Sequence, residues 1–67
     1  MTDLQKYVFQ NVVLTDIDGK QWQGNVFSYH DKIDNDDNQN SIVLKTLDND
    51  FIEFTEPEIK NIELNHQ

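Results

Sequence analysis

The sequence of 67 residues predicts an all-β fold, a small five-stranded barrel that occupies residues 1–67 as one domain. Three observations indicate this fold. The apolar residues fall in short runs that alternate with polar residues and are rich in β-branched and aromatic side chains. Turn-forming residues separate these runs at regular intervals. The second run contains Gly24, and a glycine inside a strand commonly marks a bend, as closure of a sheet into a barrel requires.

The first half of the chain is predicted to form a helical turn followed by a hairpin. Residues 3–9 can form one helical turn, and residues 11–17 (NVVLTDI) are a strand rich in β-branched side chains. Asp18-Gly19 is a strong hairpin signal, because tight turns need a positive φ that glycine adopts without strain. Residues 21–30 are the returning strand.

The second half is predicted to contain three more strands. Residues 31–40 form a loop by composition, and Asp48, Asn49 and Asp50 mark a further turn. Pro57 ends the fourth strand, because it cannot donate a hydrogen bond to a neighbouring strand, and residues 56–58 form a short helical turn. The predicted strands are residues 41–47, 51–55 and 59–65.

Charge restricts the partners that the chain can bind. Thirteen acidic residues against five lysines, with no arginine, give a formal net charge of −8 at pH 7. This balance disfavours nucleic acid and anionic membranes, since binding to phosphates depends on cationic side chains. The sequence contains no cysteine, no apolar run of the roughly 20 residues that cross a bilayer, and no pattern of a secretory signal. We therefore expect a cytoplasmic protein without membrane contact.

The acidic loop has a superficial likeness to a calcium-binding loop. Residues 34–38 read DNDDN, which matches the start of the EF-hand pattern. The sixth position is Gln39 instead of glycine, and the twelfth is Lys45 instead of a bidentate glutamate. We expect a solvated loop, no metal site and no cofactor.

Catalysis is not expected either. A nucleophile would have to be Ser28 or Ser41 with a histidine base, and no local motif such as G-x-S-x-G is present. His30, at the end of the second strand, is expected to form a surface hydrogen bond. A barrel of this size is also expected to offer little room for a ligand pocket. The sequence therefore predicts no enzyme and no catalytic residues.

The aromatic residues of the second strand have two interpretations. Trp22, Phe27 and Tyr29 can stack on single-stranded bases, or they can be part of the core. Regular alternation places Trp22, Gly24 and Val26 on one face of the strand, and Phe27 with Tyr29 on the other. We expect most of them in the core and Phe27 exposed. An exposed aromatic residue is typical of a protein interface.

Residues 12–35 (VVLTDIDGKQWQGNVFSYHDKIDN) resemble the first motif of Sm-like (LSm) domains, most closely the small bacterial Sm-like proteins. Residues 51–65 stand where the second motif and the last strand would fall. The resemblance implies an SH3-like barrel that forms rings and binds RNA. The positions that carry it are Val12, Leu14, Gly19, Gly24, Val26, Tyr29, Asp34 and Asn35. RNA-binding members carry an arginine- or lysine-glycine pair, or a lysine-histidine pair, where this chain reads LDNDFIEF.

These observations favour a non-enzymatic module that binds a protein partner. One alternative is an RNA-binding protein, which the net charge disfavours, with its RNA site on a face around Tyr29, Lys32, Asp34 and Asn35. Another is an acidic mimic of nucleic acid that binds a basic protein. The candidate binding residues are Phe27, Tyr29, Lys32, Asp34 and Asn35.

Sm-like rings pair the fourth strand of one copy with the fifth strand of the next. Acidic residues in and beside these strands crowd this half of the chain, and Lys60 alone opposes them. Such repulsion opposes edge pairing. We expect a monomer or a small homo-oligomer. The acidic residues concerned are Asp50, Glu53, Glu56, Glu58 and Glu63.

Overall fold

The structure is a computed structural model that describes residues 4–33 and 38–65. Five antiparallel strands form one sheet in the order β4-β3-β2-β1-β5, with two 3-10 helices, η1 and η2. This confirms the prediction of an all-β fold with five strands. The elements are η1 Leu4–Tyr7, β1 Asn11–Asp16, β2 Gln21–His30, β3 Ser41–Thr46, β4 Phe51–Thr55, η2 Glu56–Glu58 and β5 Ile59–Leu64.

The predicted boundaries are close to the observed ones. β2, β4 and η2 have the predicted bounds, whereas β1, β3 and β5 each end one residue earlier. The two apolar residues removed in this way, Ile17 and Leu47, belong to the turns that follow β1 and β3. The predicted N-terminal turn is a 3-10 helix, and none of the described helices is long and apolar enough to cross a membrane.

The sheet is strongly curled, because a short connection joins its two opposite edges. β4 and β5 are the edge strands, and η2 alone links them. In a flat sheet these strands would lie four spacings apart, about 19 Å, whereas a 3-10 helix of three residues rises only about 6 Å. Two hydrogen bonds hold η2 in place, from the Glu56 N–H to the Asn40 carbonyl at 2.8 Å and from the Ile17 N–H to the Glu58 carbonyl at 3.1 Å.

Gly24 lies where β2 packs closely against β3. It is buried and faces Val12 on β1 and Thr46 on β3. A Cβ atom at this position would lie 2.2 Å from the carbonyl oxygen of Lys45, which is far inside van der Waals contact. The sequence predicted a bend at this glycine; the structure shows that glycine is required here because the two backbones approach closely.

A β-bulge in β2 changes which side chains face the core. Val26 pairs with Leu44 and Ser28 pairs with Val43, so Phe27 is the extra residue. The bulge moves the alternation by one residue. Tyr29 consequently packs against the core, while Phe27 points away from it. The prediction that these two residues share a face is therefore wrong.

The core lies on the concave side of the curled sheet, and η1 covers one end of it. The Tyr7 hydroxyl donates to the Ile62 carbonyl at 3.4 Å, which connects η1 to β5. The buried apolar residues are Leu4, Tyr7, Val12, Leu14, Val26, Ile42, Leu44, Phe54 and Ile62.

Candidate functional site

The structure places Phe27 and Tyr29, two of the predicted binding residues, on opposite sides of β2. Phe27 is 54% exposed, as expected, whereas Tyr29 is half-buried. Lys32 is exposed at the start of the acidic loop, where its backbone N–H donates to the Asn40 side chain at 2.8 Å. Asp34 and Asn35 lie outside the described residues.

Phe27 instead pairs with an aromatic residue of β4. Its ring centroid lies 5.1 Å from that of Phe51, and the two planes meet at 74°. Phe51 is 56% exposed, and the Lys45 ammonium lies 6.0 Å from the centroid of its ring. We refer to Phe27, Lys45 and Phe51 as the aromatic face. It lies on the convex side of β2, β3 and β4.

Sequence reasoning did not identify Phe51, although a signal was present. The alternation in β4 places Ile52 and Phe54 on one face and Phe51 with Glu53 on the other. Ile52 and Phe54 face the core in the structure. Because Phe51 shares a face of β4 with the charged residue Glu53, the alternation indicated that Phe51 points outward.

A second candidate region contains the two hairpin turns, which lie at the same end of the sheet. In the first turn the Gly19 N–H donates to the Asp16 carbonyl and the Asp16 N–H donates to the Lys20 carbonyl, both at 2.9 Å. Gly19 has a φ of +85°. This is a type I turn followed by a left-handed residue, so positive φ is needed at one position and not at two.

The second turn repeats this geometry with different residues. The Asn49 N–H donates to the Thr46 carbonyl at 3.0 Å, and the Thr46 N–H donates to the Asp50 carbonyl at 2.8 Å. Asn49 takes the left-handed position with a φ of +67°. Leu47 is 76% exposed, and it occupies the same place as Ile17 in the first turn, which is 63% exposed.

Trp22 is held by the side chains of the first turn. Its indole N–H donates to the Asp16 carboxylate at 3.1 Å, and the Lys20 ammonium lies 4.1 Å from the centroid of its ring. The edge of the ring packs against Phe54, with the centroids 5.7 Å apart. The pKa of Asp16 lies below its usual value of 3.8, and the largest cause is this hydrogen bond from the indole. The hydrogen bonds from the backbone N–H groups of Lys20 and Asp18 lower the pKa further.

A groove of about 390 Å³ lies between the start of β2 and the second turn. Trp22 and Ile52 provide half-buried apolar surface, Leu47 forms an exposed wall, and Asp48 and Asp50 bring two carboxylates. Among the described residues that line it there are two acids and no lysine. Its volume is comparable to that of small ligand sites, roughly 300–1,000 Å³, but it is an open surface groove and not an enclosed pocket.

Neither catalysis nor metal binding gains a defined centre from the described residues. The Ser28 hydroxyl lies 3.2 Å from Nε2 of His30, two residues along the exposed side of β2, which accounts for the surface hydrogen bond expected of this histidine. No group of three potential metal ligands occurs within residues 4–33 and 38–65. Of residues 34–38, on which the likeness to a calcium loop rested, residues 34–37 lie outside these ranges.

Comparisons with protein-family models, with curated protein sequences and with solved structures found no match.

Proposed function

We propose that this protein is a non-enzymatic binding module of the cytoplasm whose aromatic face contacts a partner protein. The observation that carries the proposal is the exposed pair of Phe27 and Phe51, in contact through their rings. Aromatic side chains are enriched at the centres of protein interfaces, because they bury a large area at a small cost in conformational entropy. Two such residues in contact on one sheet face form a compact apolar centre.

The surroundings of the pair favour a protein over RNA. Lys45 is the one lysine among the three residues of the aromatic face, and Glu53 lies on the same side of β4. Single-strand binding needs stacking platforms combined with a positive groove. Of the residues in the alternative RNA site, Tyr29 is half-buried against the core, which reduces the ring surface available for stacking.

Capture experiments with matched variants test the protein-binding proposal. The double variant Phe27→Ser/Phe51→Ser removes both rings, and the control variant Phe9→Ser/Ile33→Ser removes two other exposed apolar side chains. Circular dichroism first establishes that both variants are folded. Wild type and control should then retain the same partner from a cell extract, while the aromatic variant should lose it. Equal retention by all three proteins would contradict the proposal.

A titration with a single-stranded RNA oligonucleotide separates the RNA alternative. We expect no anisotropy change at low salt, conditions that strengthen electrostatic contacts to phosphates. Micromolar binding under these conditions would replace the protein-binding proposal with the RNA-binding one. A signal that depends on Phe27 and Phe51 would place the RNA on the aromatic face.

We extend the proposal to an Sm-like barrel that remains a monomer or a small homo-oligomer. Its support is that β4 and β5, the strands that pair between copies in Sm-like rings, are the two edge strands here. Exposed acids on both edges, Glu53 on β4 and Glu63 on β5, oppose pairing of two copies. Native mass spectrometry should detect monomers to small oligomers, and a stable hexamer or heptamer would be evidence for a ring instead.

A further inference from the structure

We propose that the groove beside the second turn binds a segment of a partner protein in which an apolar side chain is flanked by lysine or arginine. The proposal concerns a different surface from the aromatic face and does not depend on it. It rests on two properties of the same groove, its apolar lining and its acidic side chains.

The apolar lining provides a place for one apolar side chain. Trp22 and Ile52 are only partly buried by the core, and both line the groove. Leu47 extends from the turn above them and is 76% exposed. An apolar side chain of the partner would contact all three residues and remove their surface from water.

The charge of the groove determines the chemistry of the residues that flank this side chain. Asp48 and Asp50 are both exposed and are the two charged residues of the described lining. The Lys20 ammonium lies on the Trp22 ring from the first turn, so the acids outnumber the cation near the groove by two to one. The protein as a whole carries a formal net charge of −8, so its long-range field also attracts cations. A basic segment is therefore complementary to the groove, and an acidic segment is repelled by it.

The first turn explains why the groove is specific to the second one. The first turn has an exposed apolar residue, Ile17, followed by an acid, Asp18, at the positions that Leu47 and Asp48 occupy in the second turn. Neither Ile17 nor Asp18 lines the groove. The first turn also contains Lys20, whose ammonium lies on the Trp22 ring. The two turns consequently provide a pair of substitutions that change composition and net charge equally but differ in position.

Capped peptides with the sequence Gly-Lys-Leu-Arg-Gly test the proposal, with Gly-Glu-Leu-Glu-Gly and Gly-Lys-Gly-Arg-Gly as controls. Trp22 is the one tryptophan of the chain and lines the groove, so its fluorescence reports occupancy directly. The basic leucine peptide should give a saturable change in emission that weakens as salt is added. The acidic peptide and the peptide without leucine should bind much more weakly. Equal binding by either control, or no saturable change with the first peptide, would overturn the proposal.

Paired turn variants determine where the peptide binds. Leu47→Ser/Asp48→Asn should weaken binding about tenfold, which corresponds to one apolar contact and one surface ion pair. Ile17→Ser/Asp18→Asn should stay within about twofold of wild type, because the loss of one distant charge has a small effect. Equal weakening in both variants would indicate diffuse attraction to an acidic protein and would overturn the groove. Phe27→Ser/Phe51→Ser should bind the peptide normally, and loss of binding there would assign the peptide to the aromatic face.

Discussion

The two hairpin turns have the same backbone and different side-chain environments. Both are closed by the same pair of backbone hydrogen bonds, and both place an apolar residue outward at their second position. In the first turn Asp16 accepts hydrogen bonds from its own turn and from Trp22, and Lys20 ends the turn beside the same indole. In the second turn Asp50 takes the place of Lys20.

This difference shows that turn geometry does not by itself determine the role of a turn. The first turn uses its polar side chains to stabilise the fold, because Asp16 connects the turn to a residue at the edge of the core. In the second turn the acceptor is a threonine, whose hydroxyl accepts the Asp50 N–H at 3.2 Å. Its two acids, Asp48 and Asp50, line the groove. One turn serves stability, and the other lines the groove to which we assign binding.

The largest difference in stability is expected between the two left-handed positions. Gly19→Ala should lower the free energy of unfolding by about 1–2 kcal/mol, because an L side chain is strained at positive φ. Nothing lies within 4 Å of the added Cβ, so the loss comes from the backbone alone. Asn49→Ala should cost less than half as much, since asparagine already has a Cβ there. Urea unfolding measures both, and equal losses would contradict this account.

A smaller difference is expected between the two acceptor residues. Asp16→Asn keeps the shape of the side chain but has a single acceptor oxygen. It therefore leaves at least one of the three donors, the Asp18 and Lys20 backbone N–H groups and the Trp22 indole, without an acceptor. Thr46→Val removes a single exposed hydrogen bond, and the strand preference of valine offsets part of the loss. The melting temperature should therefore fall further in Asp16→Asn. A larger fall in Thr46→Val would mean that the contact with Trp22 contributes little.

Lowering the pH should remove stability from the first turn, through Asp16, and not from the second turn, where the acceptor is Thr46. The pKa of Asp16 is lower in the folded protein than its usual value of 3.8, mainly because the Trp22 indole donates to it. The corresponding stability is fully present above that usual value and is lost as the pH falls through the lower folded value. Melting temperatures measured from pH 6 down to pH 2.5 should thus drop more steeply in wild type and Thr46→Val than in Asp16→Asn.

The pKa of Glu58 is also lowered in the folded protein, and this residue is unchanged in these variants. The Thr55 backbone N–H donates to its carboxylate and lowers its pKa below 4.5, and the Thr55 hydroxyl adds to the effect. It therefore contributes a common acid-sensitive background to every curve. If the melting temperatures of wild type and Asp16→Asn fall in parallel with pH, Asp16 makes no acid-sensitive contribution to stability of its own.

The smallest effects are expected at the last position of each turn. Lys20→Gln removes the ammonium from the Trp22 ring and should cost about 0.5 kcal/mol, the usual size of an exposed cation–π contact. Asp50→Asn should change stability by less than this, because the lost charge relieves repulsion in an acidic protein. Chemical unfolding followed by Trp22 emission measures both variants. A larger cost for Asp50→Asn would assign this residue to the fold and not to the groove.

The sequence was sufficient to predict the features that depend on local patterns. Alternation located the five strands to within one residue, and Asp18-Gly19 located the first turn. Gly24 was noted as a glycine inside a strand, but the sequence predicted a bend there, whereas the structure shows a close approach to the β3 backbone. The strands and the first turn have a direct sequence signal, because strand periodicity and positive φ each restrict the residues that are suitable.

The candidate surfaces could be predicted only in part. The exposure of Phe27 followed from alternation, but the bulge at this residue moved Tyr29 to the core side, and an inserted residue leaves no mark in the alternation itself. The groove depends on the pairing of β2 with β3, whose register places Gly24 opposite Thr46 and so brings the start of β2 beside the second turn. Such a contact between distant segments is determined by packing and not by any local motif.

The pairing of β1 with β5 has a consequence for how the chain folds during synthesis. Leu14, which is fully buried, pairs with Ile62, and the register continues to Val12 and Leu64. The hairpin of β1 and β2 can form early, but the other edge of β1 has no partner until β5 is made. The interval from Asp16 to Ile59 is 59 − 16 = 43 residues. At about 5–20 residues per second, that edge is open to other strands on a ribosome for roughly 2–9 s.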